Sequence, residues 1–229
     1  TAEHYQFTRE AQDSYAIESL RRAKHAVEEG GFDDEVTPVM ITDRKGEREV
    51  TIDEQPFNAN IEKIPHLRPA FRKNGTVTPA NSSSISDGAA ALVLMKRSEA
   101  EKRGLCTKAI IHAHATHSQE PNWFTTAPIG AIEKVLERTG WNKSEVDLFE
   151  INEAFAVVAM AAMRDLDIPH DKINVHGGAC ALGHPVGASG TRIIVTLIAA
   201  LRKYNLKKGV ASLCIGGGEA TAISIETVN

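Results

Sequence analysis

The stretch "GGACALGHPVGASG", residues 177–190, sets an imidazole, His184, and a thiol, Cys180, among glycines, alanines and one proline. Small residues on both sides of a histidine let a narrow ligand approach the ring closely. The bland alternative is a tight turn feeding a helix, with the histidine capping it. Pro185 suits the first position of a helix. The apolar pattern beyond it predicts a helix over 185–204, with His184 at its N-terminus. The positive end of a helix disfavours imidazolium, which would keep the ring neutral and able to take a proton near pH 7.

Strands and helices alternate around this helix. "AIIHAHA" (109–115) and "DLFEI" (147–151) read as strands, separated by a helix over 129–138 that carries Ile132, Val135 and Leu136 at helical spacing. A helix rich in Ala and Met follows over 153–165. After the helix over 185–204, "VASLCI" (210–215) and "ATAISIE" (220–226) form a strand pair joined by "GGGE". The order β-α-β-α-(loop)-α-β-β defines an α/β layer architecture. Upstream, Thr8 caps a helix over 9–29, and "EVTPVMIT" (35–42) and "REVTIDE" (48–54) read as short strands. "FNANIEKIPHLRPAF" (57–71) and "GTVTPANSSSISDG" (75–88) are loop-rich, and "AAALVLMK" (89–96) has the pattern of a short buried strand.

The 229 residues can bury a substantial core, with 42% hydrophobic and 24% charged residues and a net charge of −4. The longest basic clusters, Arg21-Arg22 and Lys207-Lys208, are too short for a nucleic-acid face. No apolar run reaches the length of a membrane span. Three cysteines, with no C-x-x-C pair, make neither a disulfide framework nor a zinc motif and fit a reducing, cytoplasmic compartment. No metal site is expected. Residues 1–20 already read as the middle of a protein, so the chain is expected to be part of a longer one.

Three further places could carry chemistry. Cys214 ends an apolar strand just before Gly216, Gly217 and Gly218, where a thiol lies beside backbone N–H groups able to face an oxyanion. A buried, inert strand cysteine before a hairpin is the competing reading. In "INEAF" (151–155), Asn152 stands between a strand and a helix and is a natural N-cap, or else an amide that holds a water; Glu153 could support the site from behind. "NSSSISDG" (81–88) offers hydroxyls on a loop, most simply as turn chemistry.

Taken together and in this order, "GTVTPANSSSISDGAAALVLM", "NEAF", "GGACALGHPVGASGTR" and "CIGGG" resemble the thiolase family, most closely its acetyl-CoA C-acetyltransferases. The resemblance runs over essentially the whole chain, and "GHPVGASG" with "CIGGG" thirty residues further on is its most specific part. It implies a thiolase-like α/β fold of layered helices with a mixed five-stranded sheet in the C-terminal domain. It also implies acyl transfer between coenzyme A thioesters, 2 acetyl-CoA to acetoacetyl-CoA and CoA. Thioesters are then substrates and no cofactor is implied; a homodimer or homotetramer is. By motif, His184 matches the histidine that activates a nucleophilic cysteine, and Cys214 the cysteine that moves the α-proton. Asn152 matches the residue holding a water at the thioester oxygen, and Gly216 an N–H of the second oxyanion hole. Ser83 and Leu67 match positions along the pantetheine and adenine, and Phe124, Ala154 and Phe155 positions near the acyl and pantetheine ends. Where some members carry a basic residue, this chain has Pro56.

Family architecture makes residues 1–74 the remainder of the loop domain, 75–103 the tail of the N-terminal domain and 104–229 the C-terminal domain. The nucleophilic cysteine belongs upstream of this region; neither Cys106 nor Cys180 replaces it, so the isolated chain is expected to be inactive. Two other readings remain open at this point: a broad-chain 3-ketoacyl-CoA thiolase, and a non-catalytic module that binds coenzyme A.

Overall fold

A four-stranded mixed sheet organises the C-terminal half of the chain in this computed structural model, which describes residues 1–228. The strands and helices, in chain order, begin with α1 (Ala2–Tyr5), α2 (Arg9–Glu28), the hairpin β1 (Val39–Asp43) and β2 (Gly46–Val50), α3 (Gln55–Asn58) and α4 (Arg97–Lys102). They continue with β3 (Ala109–Ser118), α5 (Ala127–Thr139), β4 (Leu148–Ile151), α6 (Ala156–Asp165), α7 (Ala179–Leu182), α8 (Ser189–Lys203), β5 (Lys208–Ile215) and β6 (Glu219–Thr227). The sheet order is β3-β6-β5-β4; β4 and β5 are parallel, and the other two pairings are antiparallel.

The β-α-β-α-(loop)-α-β-β order read from periodicity holds, with the short helix α7 lying in the expected loop. On α5, Ala127, Ala131, Ile132, Val135 and Leu136 recur on one face and are buried against the sheet together with Phe149 and Ile151 of β4 and Val158 and Ala162 of α6. On α8, Ile193, Leu197, Ala200 and Leu201 cover the opposite face, against Leu148, Ala211 and Ile225. Each buried Val, Leu, Ile or Phe side chain contributes about 1.5–3 kcal/mol by leaving water. A third cluster joins Leu20 and Ala23 of α2 to Ile64 and to Ala181 of α7. Thr8 caps α2 as expected, its side chain accepting from the Ala11 N–H at 3.1 Å.

The sheet has four strands among the described residues, not five. The place of a further edge strand beside β4 is taken by a single parallel bridge between Phe149 and Ile173. Asn174 (φ 47°) then turns the chain, and its side chain satisfies the β4 edge: Oδ1 accepts from Ile151 N–H and Nδ2 donates to Ile151 O, both at 2.8 Å. A side-chain amide thus does what a neighbouring strand would do.

Two further expectations change. Residues 89–96 belong to no strand, and Val93 and Leu94 are largely exposed. The helix expected over 185–204 begins only at Ser189, after a turn in which Ala188 N–H and Ser189 N–H both donate to Pro185 O. Among the described residues, no helix is long and apolar enough to cross a membrane.

Candidate active site

The carboxyl ends of the parallel strands β4 and β5 collect the residues singled out by sequence, as expected for the open ends of parallel strands in α/β folds. Asn152 follows β4 directly, and its N–H donates to Ser212 O of β5 at 2.9 Å. Cys214 lies two residues further along β5. Asn152 is not a helix cap, since α6 starts at Ala156 with Phe155 before it. Its side chain is buried and Nδ2 lies 3.4 Å from His184 Nε2. Its Oδ1 is buried with no hydrogen-bond partner among the described residues.

His184 is half-buried between α7 and α8, and the Cβ-free Gly183 allows its approach. Gly183 has φ 84°, and a Cβ there would sit 2.1 Å from Ser86 Oγ. The loop 81–86 binds both partners: His184 N–H donates to Ser84 O at 3.0 Å, while Ser83 donates through its N–H and its Oγ–H to Ala154 O, each at 3.1 Å. Gln55 of α3 steadies this loop, with Nε2 donating to Ser84 Oγ at 2.8 Å.

Hydrogen bonding assigns the tautomer of His184. Ser189 Oγ donates its only proton to Pro185 O at 3.1 Å, so it accepts from His184 Nδ1–H at 2.6 Å. The Nε2 lone pair therefore faces Asn152. Burial, followed by the nearby Arg192 guanidinium, holds the imidazolium form below its ordinary range. The ring is neutral as the sequence suggested, but burial and a cation do this in place of a helix end. Cys214 is buried, and burial pushes its thiol up to about 11, so it rests protonated. Burial, the Glu153 charge and its hydrogen bond raise Cys180 well above the ordinary thiol range, which leaves it unreactive. Cys106 is exposed, outside the cluster.

The β5–β6 turn is closed by Gly218 N–H donating to Ile215 O at 3.1 Å, which leaves the exposed Gly216 N–H outside that bond. Phe155 lies edge-on to Phe124 at 6.4 Å and to Phe71 at 6.0 Å. Leu67 stands apart, tied to α2 by Arg9, whose Nη2 donates to Leu67 O at 2.9 Å. Sequence reading missed Ser189, Gln55 and Phe71. Ser189, five residues after His184 within the small-residue run, was the one with a local signal.

A neutral imidazole, a protonated thiol, an amide and a free glycine N–H at the ends of β4 and β5 define a site suited to proton transfer and oxyanion stabilisation. The chain belongs to the thiolase family: the description "Thiolase, N-terminal domain" matches residues 1–98 and "Thiolase, C-terminal domain" residues 105–227. A probable acetyl-CoA acetyltransferase of Dictyostelium discoideum is 51% identical over 226 residues, which is 98% of this chain and 55% of that protein. The cytosolic acetyl-CoA acetyltransferase of Mus musculus is 48% identical over 228 residues, again 98% of this chain and 57% of that protein. The crystal structure of the Bacillus anthracis acetyl-CoA acetyltransferase superimposes with a TM-score of 0.96 at 42% identity, covering 99% of this chain and 58% of that one. The chain thus spans little more than half the length of these relatives.

Proposed function

We propose that the protein carrying this chain is an acetyl-CoA C-acetyltransferase, joining two acetyl-CoA into acetoacetyl-CoA and free CoA and running the reverse cleavage. Support comes from the names of relatives at about half identity and from one observation above all: Asn152 and His184 meet at 3.4 Å beside the end of β5 that bears Cys214. In the whole protein, residues 1–74 belong to the loop domain, 75–103 to the N-terminal domain and 104–229 to the C-terminal domain. The nucleophilic cysteine comes from outside these residues. We also place the protein in the cytoplasm, as for the mouse relative named cytosolic, in a homo-oligomer of two or four.

In the cleavage direction, the external thiol gives its proton to His184 Nε2 and its sulfur attacks the 3-keto carbon of acetoacetyl-CoA. The carbon–carbon bond breaks and the departing acetyl-CoA enolate oxygen takes hydrogen bonds from His184 Nε2–H and a water oriented by Asn152. Cys214 then donates its proton to the enolate carbon and becomes a thiolate. That thiolate takes the proton of an incoming CoA thiol, whose sulfur attacks the acyl-enzyme; a second acetyl-CoA forms and the freed nucleophile takes its proton back from His184 Nε2. The Gly216 N–H faces the tetrahedral oxyanion in both attacks, where one lost donor typically costs about 3 kcal/mol. A thiol raised to about 11 starts this cycle in the acid form that cleavage needs. Ser83 and Leu67 hold pantetheine and adenine, while Phe124, Ala154 and Phe155 line the acyl and pantetheine ends.

The test is Cys214→Ala in the whole protein. Radiolabelled acetyl from acetyl-CoA should still load onto the enzyme while acetoacetyl-CoA formation is lost. A variant that still makes acetoacetyl-CoA at a rate near wild type overturns the reading.

A further inference from the structure

Directly after Asn152 comes Glu153, whose carboxylate is fully buried. Its Oε1 accepts from Tyr15 OH at 2.9 Å and from Asn174 Nδ2 at 2.8 Å; its Oε2 accepts from Ser19 OH at 2.7 Å and from Cys180 N–H at 3.1 Å. These donors come from α2, from the loop that edges β4, and from α7, which leads through Gly183 to His184. Gly178 completes the fit: a Cβ there would stand 2.3 Å from Glu153 Cδ. Its N–H donates to Ser19 Oγ at 2.9 Å, so the Ser19 proton is committed to the carboxylate.

Only an ionised carboxylate satisfies this arrangement. The Asn174 amide cannot turn over, because its two ends already bond Ile151 O and Ile151 N–H. The Cys180 N–H is backbone and cannot turn either. A glutamine at 153 would set its own NH2 against one or the other, whichever way its amide faced. A buried donor facing a donor loses the full hydrogen bond on both sides.

We propose that Glu153 is the positioning residue of this site: its grip on Cys180 N–H and Asn174 from the position beside Asn152 sets the 3.4 Å approach of Asn152 to His184. The carboxylate connects the two loops by a short path, one peptide bond to Asn152 and four residues from Cys180 to His184. It touches neither reacting partner and acts through both. This rests on the assignment of His184 and Asn152 to the reaction.

The test compares wild type, Glu153→Gln, Gly178→Ala and, as a control for lost stability alone, Val135→Ala in the buried face of α5, all in the whole protein. The first readout is the titration of the His184 ring followed by NMR, which needs no turnover. With the latch gone, the ring gains water and its titration should move up towards the ordinary value of 6.5. The cation acting on it, Arg192 of α8, lies 3.9 Å from Glu150 of β4, and neither is altered by the variants. The second readout is kcat and KM for acetoacetyl-CoA cleavage across pH. Displacing a catalytic pair by about an ångström costs on the order of 10²-fold, so kcat should fall by about that factor with little change in KM. The acid limb of the profile should follow His184 upward. Should Glu153→Gln fail to fold, Gly178→Ala carries the test, because its methyl pushes on the same carboxylate without changing its charge. Both shifts in either variant, and neither in Val135→Ala, support the proposal; His184 titrating as in wild type in a folded variant overturns it. Turnover in His184→Ala would instead sink the functional reading, and the NMR titration would still decide the role of Glu153.

Discussion

Ser189→Ala removes a single hydroxyl, and its consequences follow from the bonds that hydroxyl makes. Ser189 Oγ lies 2.6 Å from His184 Nδ1 and 3.1 Å from Pro185 O, in a fully buried setting. Without it, the Nδ1–H loses its acceptor, while Pro185 O keeps the Ala188 and Ser189 N–H donors. Leaving a buried donor unsatisfied costs about 1–3 kcal/mol. Part of that cost is avoided when the proton moves to Nε2, but the Nε2 lone pair is then gone and the ring faces Asn152 in the wrong form. Either way the active tautomer is disfavoured by a similar amount. Since 1.4 kcal/mol is tenfold, kcat/KM should fall by about 10- to 100-fold. The assay is consumption of acetoacetyl-CoA by the purified whole protein, with urea unfolding in parallel to show that the variant is folded. Ring 15N shifts at neutral pH report which nitrogen carries the proton. A Ser189→Ala enzyme within about twofold of wild type, with Nδ1 still protonated, would refute the tautomer assignment.

Three other outcomes are expected. His184→Ala should reduce kcat by about 10³-fold or more, since both thiol activation and an enolate donor are lost; near wild-type turnover would make the ring a purely structural group. Gly216→Pro, which deletes the N–H assigned to the oxyanion, should lower kcat by about 10²–10³-fold with CoA binding retained, and an active variant would remove that role. His176 is buried beside Phe32 and Tyr204, and burial, with Lys203 and His25 nearby, presses its pKa down to about 4. Its folded pKa lies below the unfolded 6.5, so its contribution is complete above pH 6.5 and is lost as pH falls towards 4. About 2 kcal/mol should disappear between pH 7.5 and pH 5, and His176→Leu should flatten that loss in urea unfolding measured at both pH values.

What the sequence made legible was whatever depends on neighbours along the chain. The apolar faces of α5 and α8, the strands around Phe149 and Val210, and the small residues flanking His184 are all local patterns, and the structure keeps them. Helix boundaries were harder. Pro185 fits a first helical turn, yet its carbonyl is taken up by Ala188, Ser189 and the Ser189 hydroxyl, so the helix starts later. The missing fifth strand was illegible because a side chain, Asn174, takes the place of backbone along β4. Glu153 was visible only as a residue beside Asn152. Its partners on α2 lie more than 130 residues away in sequence, and no periodicity announces a contact of that span.

Burial at the ends of β4 and β5 acts on two groups of opposite character. A low-dielectric surrounding disfavours whichever form is charged, so it drives a thiol up and an imidazole down. Cys214 is held up to about 11 and His184 below its ordinary range by the same cause. Both groups therefore rest uncharged, which suits entry of the neutral thioester end of the substrate. On the proposed reading, charge arises only during the reaction, at an enolate or a tetrahedral oxygen, where the His184 and Gly216 donors are already placed. The rigid latch at Glu153 and the fixed tautomer at Ser189 matter for the same reason: donors set in advance need no reorganisation when the charge appears. A more open site would bring both pKa values back towards their ordinary range, form some of the ion pair between thiolate and imidazolium at rest, and leave less of Cys214 in the acid form that cleavage consumes.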